Sequence, residues 1–173
     1  MPTRFWTDEF RPLHSLAVSQ YSAGQRDCDT FFAPPQREFL ASIGLRPIFL
    51  YDHAEDFCGG GDPDYETTLL IASVRRDHFI YLQNGQWSDE AFDLKGLPER
   101  KAEFEGIAWL PRILAKARGF LRGNLPPDIM YNCGGDRDFL ARHHCHPADF
   151  LRAVWGAGPD DRKVLESLQT AKR

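Results

Sequence analysis

The most regular spacing of apolar residues falls in residues 109–122. Leu110, Ile113, Leu114, Ala117, Phe120 and Leu121 recur at i, i+3, i+4 and i+7, which gathers them on one helix face. Leu125-Pro126-Pro127 breaks the chain behind them. Further on, the pattern predicts helices over residues 136–144, over 147–155 with Gly156 as the stop, and over 159–168, where Asp160 and Asp161 suit the first turn. Upstream, Pro34-Pro35 opens a helix that runs through Ile43 to a left-handed stop at Gly44. The apolar run Pro47-Ile48-Phe49-Leu50-Tyr51 predicts a short buried strand.

Glycines 59–61 form a loop into a helix that Asp62 caps and that reaches about Arg76. Thr67, Thr68, Ile71 and Val74 are β-branched, so a strand over 68–74 followed by one over 79–83, turning at Asn84-Gly85, competes with that helix. Residues 87–106 are polar and punctuated by Gly96, Pro98 and Gly106, as a connecting loop would be. Residues 1–33 carry scattered aromatics without a period and are read as an extended arm over a helix-rich domain formed by 34–173. No internal repeat is visible. The expected fold is mostly α, a single compact domain with few short strands; the alternative is α+β with a small antiparallel sheet from residues 47–90.

Composition narrows the picture. A chain of 173 residues with 42% hydrophobic and 27% charged residues can bury a core without metal or disulfide staples. The net charge of -4 argues against nucleic acid as the main partner. Neither a signal peptide, a transit peptide nor a membrane span is read along it, so a cytoplasmic protein is expected. Cys28, Cys58, Cys133 and Cys145 form no Cys-x-x-Cys pair, and reduced thiols are the default.

The positions Leu110-Pro111-Arg112, Lys116-Ala117-Arg118, Tyr131-x-Cys133, Asp136, Phe139-Leu140 and Phe150-Leu151, followed by Asp160-Asp161, resemble domain-of-unknown-function family 5069 over residues 106–170. The resemblance implies a small bacterial cytosolic protein and carries no activity with it. The family pattern is apolar where this chain has His143-His144-Cys145-His146, so a site built there would be particular to this chain.

Several constellations could carry chemistry. Arg112, Lys116, Arg118 and Arg122 stand in residues 107–124 without an acid, opposite the apolar stripe. A band of cations suits a carboxylate or phosphate ligand, with Arg112, Lys116 and Tyr131 as the binding candidates. Cys133 precedes a helix start, where a thiolate is favoured, and His143 or His144 could serve it as base. Asp52, His53, Glu55 and Asp56 form a cluster fit for acid–base work or for a hard cation. His143 and His146 share a helix face and, with Cys133, are the candidate zinc ligands; no cofactor is otherwise expected. The leading expectation is a binding or accessory module for a small anionic molecule or a partner protein. The alternatives are an enzyme using Cys133, His53, Asp52 and Glu55 or a metal at His143–His146, and a protein–protein interaction module.

Overall fold

The computed structural model describes residues 5–170. Among them are eight α-helices and one two-stranded sheet, so the chain is mostly α. The order is α1 (Trp6–Ser22), α2 (Pro34–Ser42), α3 (Pro47–Gly60), α4 (Tyr65–Asp77) running into a π-turn at His78–Leu82, β1 (Glu103–Phe104), β2 (Ile107–Ala108), α5 (Leu110–Arg122), α6 (Gly134–Arg142), α7 (Pro147–Ala157) and α8 (Asp161–Thr170). Contacts group these into two compact units, Met1–Gly85 and Gln86–Arg173. None of the described helices is long and apolar enough to cross a membrane.

In the first unit, the expected extended arm is a helix; residues 1–4 of that arm lie outside the described residues. Phe10, Leu13, His14 and Ala17 of α1 are buried, and α1 packs on Phe49, Leu50, His53 and Ala54 of α3. The period was masked because a histidine holds one buried position and Pro12 interrupts the run. Asp8 fixes the start by accepting a 2.9 Å hydrogen bond from the Phe5 amide.

The expected strand at 47–51 is the first turn of α3. Pro47 follows an extended Arg46, which suits a helix start as well as a strand, and an apolar run this short does not distinguish the two. The segment at 65–77 is helical, with Asp64 rather than Asp62 as the cap, accepting from the Thr67 amide at 2.8 Å. Burial of Thr68, Ile71 and Val74 outweighs their preference for strands. The alternative sheet from 47–90 is therefore not formed. β1 lies instead in the segment read as loop and β2 directly after it, with Glu103 opposite Ala108 and Phe104 opposite Ile107 around a tight turn at Glu105-Gly106.

In the second unit, the predicted stripe of α5 is buried as expected, with α7 packed on α5 and α8 on α7. Phe139, Leu140, Phe150, Leu151, Val154 and Leu165 complete this core.

The two units repeat one another. Pro34–Ser42 of α2 is followed 100 residues later by Gly134–Arg142 of α6, and Pro47 at the start of α3 by Pro147 at the start of α7. Arg37, Phe39, Leu40 and Ala41 recur as Arg137, Phe139, Leu140 and Ala141. Buried Phe10, Leu13, His14 and Ala17 recur as Leu110, Ile113, Leu114 and Ala117. The link after the second helix keeps its hydrogen bonds too: the amides of Leu45 and Cys145 bond the carbonyls of Leu40 and Leu140 at 2.9 and 3.0 Å. Gly44 and His144 both take positive φ there. Sequence reading found no repeat because few identities survive, while the burial pattern and the turns do.

Candidate functional site

The polar side of α5 was expected to be an uncompensated cationic band. It is compensated. Lys116 lies 3% exposed with its ammonium 2.5 Å from Asp136 Oδ2, and Asp136 is fully buried. Arg118 meets Asp161 at 2.6 Å and donates to the Gly158 carbonyl at 3.0 Å. Arg122 reaches Glu90 at 3.6 Å, and Arg112 donates to the Pro98 carbonyl at 2.7 Å. The acids come from α6, from the α8 start and from residue 90, all remote in sequence, which is why a local count of charge missed them.

Asp136 organises a buried polar cluster. It accepts from Lys116, from the Asn132 amide at 2.9 Å through Oδ2, and from the Trp109 indole N–H at 2.9 Å through Oδ1. Lys116 also donates to Cys133 Sγ at 3.2 Å. Three charge-assisted bonds on one carboxylate offset the cost of burying it. The sequence candidates Lys116 and Cys133 are thus brought together, while Asp136 and Trp109 were not recognised as members. Their signal was a tryptophan at the N-cap of α5 and a carboxylate in the first turn of α6.

Trp109 holds a left-handed backbone with φ of 73°, which costs a non-glycine residue about 1–2 kcal/mol. Packing supports it: the ring lies so close over Gly135 that a Cβ there would come within 2.5 Å of it. Indole, glycine and carboxylate fix one another.

Tyr131, expected as a ligand contact, is buried; its hydroxyl donates to the Pro147 carbonyl at 2.7 Å and its ring stacks on Phe120 at 5.6 Å. Burial and the Asp136 charge hold its phenol well above the usual range. It is a residue of the core.

The histidine and zinc expectations are also corrected. His143 packs its ring on Phe139 at 4.5 Å, and His146 caps α7 by accepting from the Ala148 amide at 3.1 Å through Nδ1. Among the described residues no three His, Cys, Asp or Glu side chains converge as a metal would need, so His143, His146 and Cys133 are not assembled into a zinc site. All four cysteines are free, and burial pushes the Cys145 thiol up to about 11, with Asp149 adding to it.

In the first unit, Asp52, His53 and Glu55 lie on α3. His53 is buried with Nδ1 2.9 Å from the Thr68 hydroxyl, and Glu55 accepts from the Tyr21 hydroxyl at 2.6 Å. Burial, with the Glu55 and Asp56 charges behind it, pushes the Asp52 carboxyl up to about 7.

The second unit carries a cleft of about 380 Å³ beside the hairpin. Trp109, Phe139 and Ile107 supply its apolar surface. Arg100, Arg142 and His143 bring basic groups to it from two separate segments. Arg142 is exposed and donates through Nε to the Asp138 carbonyl at 3.1 Å. Cations beside aromatic faces suit an anion that also carries a flat apolar part. No described protein family, curated protein or solved structure matches the chain.

Proposed function

We propose that the chain is a binding module for a small anionic molecule, held in the hairpin cleft of the second unit. The observation that supports this reading is the pairing of Arg100 and Arg142 around a cleft faced by Trp109 and Phe139. A carboxylate or phosphate accepts from the two guanidinium groups, and the ligand's flat part lies on the indole. Lys116 and Tyr131 are spent on Asp136 and on the Pro147 carbonyl, and Arg112, held on the Pro98 carbonyl, does not line the cleft. A cytoplasmic, bacterial setting, as the family resemblance implies, accords with a metabolite ligand.

Thermal shift of the purified chain tests this. Inorganic phosphate, citrate and a nucleoside monophosphate at about a hundred times their Kd should each raise Tm by about 5–11 °C. The ring-bearing ligand should bind tightest. Arg100→Ala with Arg142→Ala should remove the shift, and Arg112→Ala should leave it. If none of the three anions stabilises the unaltered chain, the proposal fails.

A further inference from the structure

The buried cluster of the second unit holds an amine against a thiol. Lys116 of α5 sets Nζ 3.2 Å from Sγ of the half-buried Cys133, and Asp136 Oδ2 fixes the same ammonium at 2.5 Å. Nitrogen and sulphur held at that separation are already within reach of bond formation. Asn132, next to Cys133 in the chain, is tied to the same carboxylate oxygen through its backbone N–H at 2.9 Å. Its side chain is fully buried, yet among the described residues nothing bonds its Oδ1 or its Nδ2. A buried amide with both groups unspent costs stability, and it suits a small polar molecule that can both donate and accept.

The repeat shows that the fold does not require this set. Leu16, Phe32, Ala33 and Gln36 stand 100 residues before Lys116, Asn132, Cys133 and Asp136. Gln36 Oε1 accepts from the Ala33 amide at 2.8 Å, and α2 starts there as α6 does after Cys133. One unit therefore builds the helix start with apolar side chains and a neutral amide. The other places an amine, a thiol, a carboxylate and an unspent amide at the same four positions.

We propose that Cys133 is a site of oxidation by hydrogen peroxide and that Lys116 closes on the oxidised sulphur, forming a reversible Nζ–Sγ bond. In the first step the sulphur attacks one peroxide oxygen and the O–O bond breaks. Sulphur loses two electrons, the peroxide gains them, and the released hydroxide leaves as water with the thiol proton. Cys133 is then a sulfenic acid. In the second step Nζ passes one proton to Asp136, its lone pair forms the N–S bond, and the S–O bond breaks. The departing hydroxide takes a second proton from nitrogen and leaves as water. The unspent Asn132 amide serves the peroxide oxygens in both steps. One peroxide is consumed and two waters are formed. The product is a sulfenamide beside a protonated Asp136, so a buried ion pair becomes a neutral pair. The bond guards the sulphur from further oxidation, and an added thiol breaks it and restores the lysine.

The test treats the full chain with hydrogen peroxide and maps it by mass spectrometry after tryptic digestion without reductant. A peptide pair joined through Lys116 and Cys133 is expected, two hydrogens lighter than its parts and uncut after Lys116. Dithiothreitol should return both peptides. Cys133→Ser should give no link. Lys116→Arg keeps a charge without a nucleophilic amine, so the link should be lost and trapping of the Cys133 sulfenic acid by dimedone should rise several-fold. Should Lys116→Arg fail to fold, the joined peptide of the unaltered chain decides alone. Cys133 joined to another cysteine overturns the proposal. So does Cys133 carried to sulfinic acid with Lys116 unlinked, or Cys133 left unreacted while the exposed Cys58 is oxidised.

Discussion

At the scale of single residues, Lys116 and Asp52 are two ionisable groups in opposite situations. Lys116 is buried with its charge answered; removing one member of a buried pair leaves the other uncompensated. Lys116→Ala should therefore cost about 3–5 kcal/mol in chemical denaturation. The first unit supplies the remedy: Lys116→Leu with Asp136→Gln reproduces its Leu16 and Gln36 and should recover at least half of that loss. A double variant no more stable than Lys116→Ala would show that the two sites are not equivalent. Asp52 has burial and neighbouring acids against its charge, which raises its carboxyl from the ordinary 3.8 to about 7. Between those values the unfolded chain has released a proton that the folded chain keeps, so this group's contribution falls as pH rises, and the penalty is complete above pH 7. Asp52→Asn should thus raise Tm by a few degrees at pH 8 and by nothing at pH 3.5. An equal gain at both values would contradict the assignment.

At the scale of elements, the start of α6 depends on Gly135 because the Trp109 ring occupies the place of a side chain. Gly135→Ala should destabilise the second unit by about 1–3 kcal/mol through overpacking, although alanine favours helices. A neutral or stabilising effect would mean that the ring moves away at little cost. The elements themselves were unevenly legible. The α5 stripe and the helices started by Pro34 and Pro147 follow from local rules that tertiary context did not override, whereas α7 runs through Gly156 to a stop at Gly158. Residues 6–22 were not legible, because a proline stands inside the helix at position 12 and the buried His14 of the stripe reads as polar. Pro47–Tyr51 was ambiguous in principle, since five consecutive apolar residues show no period that separates helix from strand.

At the scale of the whole molecule, the duplicated helix order sets the buried pair Lys116 and Asp136 of one half where the other has Leu16 and Gln36. The site was less legible than the fold. Lys116 and Cys133 were found from sequence and do meet, but the cations of α5 looked free because Asp136, Asp161 and Glu90 lie far along the chain. Arg100 gave no signal, standing in a polar loop whose position only the hairpin fixes. The most direct measurement follows the Trp109 indole N–H by NMR, identified among the four tryptophans through Trp109→Phe, as a nucleoside monophosphate is added. A saturable shift of that resonance, lost with Arg100→Ala and Arg142→Ala and kept with Arg112→Ala, is the predicted result. A shift that survives the double substitution, or that vanishes with Arg112→Ala, would contradict the account.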